Sequence, residues 1–203
     1  MTQGIVEIAI GEEALINCTC SILSLRKYTN KPITVLTDLS DTGDLNTIAI
    51  IQQVKVTNKN LSRWLKTQLC NYTPYERTLF LDADMKCVGF FDEIWNLTED
   101  LVLTRDVHPT CNGKPQYNSG FMLFSSSKVK DLFQLWFSEW LKDEGRDQPP
   151  LTRSLAMWGG GRLEVDNRVY NWNSLNPISK FVHGWSKKKI FSDEEISEAL
   201  SIL

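Results

Sequence analysis

Residues 78 to 87 read TLFLDADMKC, an apolar run that ends in two aspartates one residue apart. At an extended strand end the side chains at i and i+2 point the same way, so Asp82 and Asp84 converge while Ala83 turns aside. Carboxylates this close repel by several kcal/mol even at an effective dielectric of about 20. A cation between them relieves that repulsion. Hard oxygen ligands suit magnesium or manganese, and either ion suits a phosphate-bearing ligand. The pattern alone leaves the bland reading open, because a chain with 25 acidic residues can place two of them so by chance. Asp82 would then close a sheet edge and Asp84 would sit in a solvated turn.

Such a pair does chemistry only if a strand delivers it to a ligand crevice. GIVEIAI at the N-terminus is short and β-branched, and EEALINCTCSILSLRKY repeats Ala14, Leu15, Cys18, Ile22 and Leu25 at helical spacing. PITVLTD reads as a second strand ending in Asp38, before the turn-rich LSDTGD. Strand, helix, strand is the pattern of a parallel sheet with right-handed crossovers. A third strand near AIIQQVKV and a helix over LSRWLKTQLCNY lead through a Pro74 turn into TLFLDAD. The two aspartates therefore end a buried strand, where open α/β sheets bind ligands.

Beyond them, DLVLTRDV and NSGFMLFSS read as strands, and VKDLFQLWFSEWLK as a helix with Leu132, Leu135, Trp136, Trp140 and Leu141 on overlapping turns. DQPPLTRSLAMW reads as a helix begun by Asp147 with prolines in its first turn, and KFVHG as a late short strand. SDEEISEALSIL, about 192–203, is a capped final helix with Ile196, Leu200 and Leu203 on one face. The expected fold is α/β: a single Rossmann-like domain over 1–203, its central sheet mixed but mostly parallel and flanked by helices.

Composition narrows the function. A chain of 203 residues with 42% hydrophobic residues and a net charge of -3 is ordinary for a globular domain and has no basic field to recruit nucleic acid. Five cysteines, Cys18, Cys20, Cys70, Cys87 and Cys111, are an odd set without zinc spacing, so reduced thiols are expected. With neither a leader-like start nor an apolar run of about 18 residues, the protein is expected to be cytoplasmic or peripheral to a membrane. Lys187 to Lys189 can be read as a solvated or membrane-facing cluster, and the N-x-S/T triplets at Asn17, Asn71 and Asn96 are expected to stay unmodified.

Two families share an Asp-x-Asp after an apolar strand. In phosphatases of the haloacid-dehalogenase type the first Asp is a nucleophile and the second an acid, but the motif lies on the first strand and a Thr or Val, not Lys86, follows. The wider match is elsewhere. Lys66 lies 16 residues before Asp82 with Tyr75 between; Asn118-Ser119-Gly120, Asp147-Gln148, and His183-Gly184 with Lys187 follow in order. This order over residues 66 to 187 resembles glycosyltransferase family eight, the family of glycogenin and the bacterial galactosyltransferases, whose fold is the glycosyltransferase A type.

The resemblance implies a metal between Asp82, Asp84 and His183, manganese or magnesium, bridging the diphosphate of a nucleotide-sugar donor. A mixed N/O donor set suits manganese better than calcium, and a divalent ion stabilises a diphosphate leaving group as a Lewis acid. Lys66 and Lys187 would add positive charge there. Asn118 and Gln148 would read sugar hydroxyls, Ser119 and Ala83 would line the donor, and Gly120 would let backbone approach. Asp147 would bind the donor sugar or stand near the anomeric carbon, with transfer retaining configuration. Ala9, Ile10 and Gly11 would give backbone contacts to the base, uridine by resemblance, although Glu12 and Glu13 depart from the family pattern.

Plainer roles compete. Asp147 ahead of two prolines is a natural N-cap, Asn118-Ser119-Gly120 can be a turn, and a lone His is more often structural. Trp185 is the aromatic to watch for substrate stacking, and DVHPTCNGKPQY reads as an acceptor-side loop or lid. The acceptor has no signature. A non-catalytic nucleotide-sugar or carbohydrate-binding relative is the other-class alternative, and a sugar nucleotidyltransferase is disfavoured because no Gly-rich phosphate loop follows the first strand.

Overall fold

In the computed structural model, which describes residues 1–55, 60–106, 116–142, 145–184 and 190–203, the first strand, β1 (Gln3–Ala9), is buried along nearly its whole length. Burial on both faces explains its lack of apolar alternation. Helix α1 (Glu12–Arg26) returns the chain to β2 (Ile33–Thr37), and β3 (Ile50–Gln53) follows at the sheet edge. Where one helix was expected over LSRWLKTQLCNY there are two, α2 (Leu61–Thr67) and α3 (Leu69–Tyr72). They part at Gln68, whose N–H bonds Leu65 O in a tighter i to i+3 turn.

β4 (Arg77–Asp82) then inserts beside β1, and a two-residue turn leads into the short β5 (Met85–Cys87). β6 (Leu101–Arg105) and β7 (Tyr117–Ser125) run antiparallel to each other. Helices α4 (Lys130–Trp140) and α5 (Gln148–Met157) precede β8 (Arg162–Val165), α6 (Asn167–Tyr170), β9 (Phe181–His183) and α7 (Asp193–Leu200). The main sheet has seven strands in the order β3-β2-β1-β4-β7-β6-β8, and β5 pairs with β9 in a separate ribbon. In the main sheet β1–β2, β1–β4, β2–β3 and β6–β8 are parallel, while β4–β7 and β6–β7 are antiparallel. The mixed, mostly parallel sheet expected from the sequence is present.

Two apolar layers sandwich it. Ile5, Leu79, Leu81 and Phe121 pack with Cys18 and Ile22 of α1 on one face. Val6, Phe80 and Phe124 pack with Leu65, Phe133 and Trp136 of α2 and α4 on the other. Each such side chain, fully buried, contributes roughly 1.5–3 kcal/mol. Two expected faces are corrected. Leu141 lies beyond the last turn of α4 and is 52% exposed, and Leu200 is equally exposed. α7 buries Ala199 instead, with Ile196 packed near Cys20 and Phe191; the helix is secured by a capping box between Ser192 and Glu195. β8 gave no sequence signal, because it is an edge strand with alternating half-burial and no apolar run.

Candidate metal centre

The strand order reverses between β1 and β4, so a crevice opens at their carboxyl ends. The register pairs Ile8 with Asp82, which sets residues 9–11 and the two aspartates on the same rim. Asp82 ends β4 and Asp84 lies in the turn after it, while Ala83 turns away into the core layer beside Leu81 and Met85, as the i, i+2 rule requires. His183, almost a hundred residues later, arrives by strand pairing. Met85 of β5 pairs with His183 of β9, and Gly184 N–H donates to Asp84 O at 2.8 Å.

This pairing places His183 Nε2 3.1 Å from Asp84 Oδ1 and 3.6 Å from Asp82 Oδ2. One donor atom from each of the three residues lies within 4.8 Å of the others. Donors on one ion at about 2.1 Å stand roughly 3 Å apart when adjacent and roughly 4.2 Å when opposite, so these residues fit a small divalent cation after slight adjustment. Gly120 keeps the floor open: a Cβ there would lie 2.6 Å from His183 Cε1 and 2.7 Å from Asp82 Oδ2. The ladder between β6 and β7 shifts register here, since the step from Leu103 to Thr104 takes β7 from Met122 to Asn118. The extra residues in β7 form a bulge that turns Ser119 and Gly120 toward the site.

On the other side of Asp82 stands Lys66, from α2. Its Nζ is 2.6 Å from Asp82 Oδ1 and 3.2 Å from Asp147 Oδ2, and Ser119 Oγ donates to the same Asp147 oxygen at 2.5 Å. Burial pushes the Lys66 ammonium toward neutrality, but Asp147 and Asp82 outweigh it and hold the group charged. For Asp147 burial again pushes upward, and Lys66 with Ser119 pull the carboxyl below its usual value. Asp84 is likewise pushed up by burial yet held low by its contact with His183. Asp82 goes the other way: burial raises its carboxyl in spite of Lys66, and Asp84 adds to the rise. At 2.6 Å from a charged Lys66, Asp82 is one half of an ion pair.

The structure decides between readings of other residues. Asp147 occupies the N-cap of α5, but its side chain caps nothing and is spent on Lys66 and Ser119; the cap reading is corrected. Asn118 is buried, with Oδ1 accepting the Gly120 N–H at 2.7 Å. Gln148 is half-buried, and its Oε1 accepts from Gln116 Nε2, which also donates to Asp106. Gly11 has φ 80, and its N–H is already taken by Asp38 Oδ1 at 2.9 Å, so among residues 9–11 its amide is not open to a base. Lys187, Trp185, Cys111 and most of the DVHPTCNGKPQY segment lie outside the described residues.

Sequence reasoning missed several members of the site. Asn171 Oδ1 lies 2.7 Å from His183 Nδ1, and Asn171 Nδ2 donates to Thr104 Oγ1 at 2.8 Å. Asp38 and Gln116 contact predicted residues as described. Glu7, fully buried on β1, takes hydrogen bonds from Ser21 Oγ and Cys18 Sγ, and burial pushes its carboxyl up to about 8. None of these carries a motif; the acidic residue inside the apolar GIVEIAI was the one visible anomaly.

The sheet order, with the crevice at its reversal point, gives a Rossmann-like fold of the glycosyltransferase A type. Solved structures agree. GlyE, a glycosyltransferase of Streptococcus pneumoniae TIGR4, superposes with a TM-score of 0.70 at 16% identity over 98% of this chain and 60% of that one. LgtC, a galactosyltransferase solved with donor and acceptor sugar analogues, gives 0.64 at 16% identity over 98% and 96%. Mouse xyloside xylosyltransferase 1 gives 0.69 at 12% identity over 94% and 100%. The chain therefore spans about three-fifths of the GlyE structure and almost the full length of the other two. No protein-family model and no curated protein sequence matches it. No helix among the described residues is long and apolar enough to cross a membrane.

Proposed function

We propose that residues 1–203 form one domain that acts as a metal-dependent glycosyltransferase, moving a sugar from a nucleoside-diphosphate sugar to a hydroxyl acceptor with retention of configuration. The observation that carries this reading is the convergence of Asp82, Asp84 and His183 within 4.8 Å at the reversal point of the sheet. These three residues would hold a manganese or magnesium ion, which supplies Lewis-acid stabilisation of the diphosphate leaving group.

The chain's own groups do the rest. Lys66 holds Asp82 and Asp147 in fixed positions from one ammonium, so both carboxylates are oriented before a ligand arrives. Among the described residues, Lys66 and Ser119 both contact Asp147 at Oδ2, and the carboxylate would face the donor sugar near its anomeric carbon. Gln148 spends Oε1 on Gln116 and presents its amide N–H groups to sugar hydroxyls. Ile10 and the backbone beside Ala9 line the base, with uridine expected. Free thiols at Cys18, Cys20, Cys70 and Cys87 suit a reducing, cytoplasmic setting.

The test is donor hydrolysis and binding over a panel of nucleotide sugars, with manganese, with magnesium and with chelator. Metal-dependent turnover of one donor, abolished by Asp84→Ala, is expected. Binding that ignores metal, or turnover of simple phosphomonoesters abolished by Asp82→Asn, would replace this reading with a binding protein or a phosphatase respectively.

A further inference from the structure

Each ring nitrogen of His183 faces oxygen. Nδ1 meets Asn171 Oδ1 at 2.7 Å, and Nε2 meets Asp84 Oδ1 at 3.1 Å and Asp82 Oδ2 at 3.6 Å. Behind the amide, Asn171 Nδ2 donates to Thr104 Oγ1 at 2.8 Å, which holds the side chain in place against the ring. A carbonyl-type oxygen can only accept, so the proton between Asn171 and the ring belongs to Nδ1. A neutral imidazole then turns its Nε2 lone pair toward two carboxylates. That arrangement is repulsive unless a second proton or a cation sits between them. Asn171 is 1% exposed and Thr104 fully buried, so both bonds are shielded from bulk solvent. Backbone ties keep the set in place: Asn171 N–H donates to Asn167 O at 2.8 Å, and His183 N–H to Trp172 O at 2.8 Å.

We propose that Asn171, backed by Thr104, is the positioning residue that fixes His183 as an Nε2 nitrogen donor, and that it thereby sets a preference for manganese-like ions over magnesium. The inference rests on the metal site proposed above. Its chemistry follows from donor softness: a nitrogen ligand favours borderline transition ions, whereas the two carboxylates alone serve magnesium as readily. Partners that orient a ligating histidine are worth about 10–100-fold in metal affinity. The opposite amide orientation would make Nδ1 an acceptor, put a proton on Nε2 and close that nitrogen to metal, so the two arrangements differ measurably.

The experiment titrates manganese and magnesium separately into the full chain by calorimetry at one fixed pH, and records pulsed electron paramagnetic resonance of the manganese-bound form for nitrogen modulation from imidazole. The wild type should bind manganese more tightly and show nitrogen modulation. Asn171→Leu should weaken manganese by about 10–100-fold and erase that modulation, while magnesium changes by less than about 3-fold. Asn171→Asp, which keeps an acceptor at Nδ1, should restore both. Thr104→Val, which leaves the ring contact but frees the amide, should fall between and guards against a leucine variant that fails to fold. Manganese bound without nitrogen modulation in the wild type would overturn the inference and leave a carboxylate-only site standing. Asn171→Leu with wild-type affinity, or an equal loss for both ions that Asn171→Asp does not rescue, would overturn it too. A wild type that binds no manganese would remove the metal site itself, and this inference with it.

Discussion

Lys66 Nζ stands 2.6 Å from Asp82 Oδ1, with the Lys66 side chain 12% exposed and that of Asp82 20% exposed. One ammonium from α2 thus serves carboxylates from β4 and from the start of α5, and Asp84 adds a third acid nearby. Removing one member of a buried ion pair costs about 3–5 kcal/mol, because the partner stays behind uncompensated. Lys66→Met should lower the melting temperature by several degrees or more. Added manganese should recover part of the loss, since a bound ion supplies positive charge only to the folded state. Thermal melts with and without the ion check this; an unchanged melting point would mean the carboxylates do not depend on Lys66.

Gly120 predicts a separation of folding from binding. A methyl group there meets His183 and Asp82 side-chain atoms at 2.6 and 2.7 Å, and both belong to the proposed ligands. The side chains can swing aside, so Gly120→Ala should fold with near-normal circular dichroism. The ligands would then be displaced by a fraction of an ångström to about 1 Å, a scale of misplacement that can cost on the order of 100-fold in function. Calorimetric titration with manganese should show at least a tenfold loss of affinity. Normal affinity would mean that the floor beneath the site has more room than the contacts allow.

Much of this site was legible because strand ends and motif order are local signals. TLFLDAD marked both the buried strand and the carboxylates at its end, and the matching sequence order carried Lys66, Asp147 and His183 toward one place. What could not be read were contacts that depend on register. Asn171 meets His183 only because β9 pairs with β5 and follows α6, all short elements with weak periodicity. The bulge that re-aims Ser119 and Gly120 is a property of pairing between β6 and β7, invisible along either strand. Asp147 misled in the other direction, since its place before two prolines fits a cap equally well and only the direction of its side chain decides.

Glu7 predicts an inverted pH response. In the unfolded chain this carboxyl ionises near the ordinary value of 4.5, whereas burial in the fold holds its proton to about 8. Between those limits the unfolded state has released a proton that the folded state keeps, so raising the pH favours unfolding. The contribution is whole below about pH 4.5 and is lost as the pH climbs to about 8. A shift of this size is worth on the order of a few kcal/mol. Glu7→Gln, neutral throughout, should melt above the wild type at pH 8.5 and close to it at pH 5. Parallel melting curves for the two proteins across that range would refute a buried neutral Glu7.

Asp147 decides between a structural and a chemical role in one variant. As a helix cap its replacement would cost about 0.5–2 kcal/mol in stability and leave turnover alone. Its carboxylate is instead turned to Lys66 and Ser119, and no side-chain cap bond forms. Asn keeps the shape and one acceptor oxygen but removes the negative charge, while Lys66 retains Asp82 as a partner. Asp147→Asn should therefore melt within a few degrees of the wild type and still bind manganese, because Asp147 is not among the three proposed ligands. If the carboxylate stabilises positive charge at the anomeric carbon, kcat for nucleotide-sugar turnover should fall at least about 100-fold, the scale of a lost electrostatic contact in a water-poor site. KM should change much less. The reverse outcome, lost stability with intact kcat, would leave Asp147 a structural partner of Lys66 and Ser119 and shift the search for the group facing the sugar to Gln148, its neighbour at the first turn of α5.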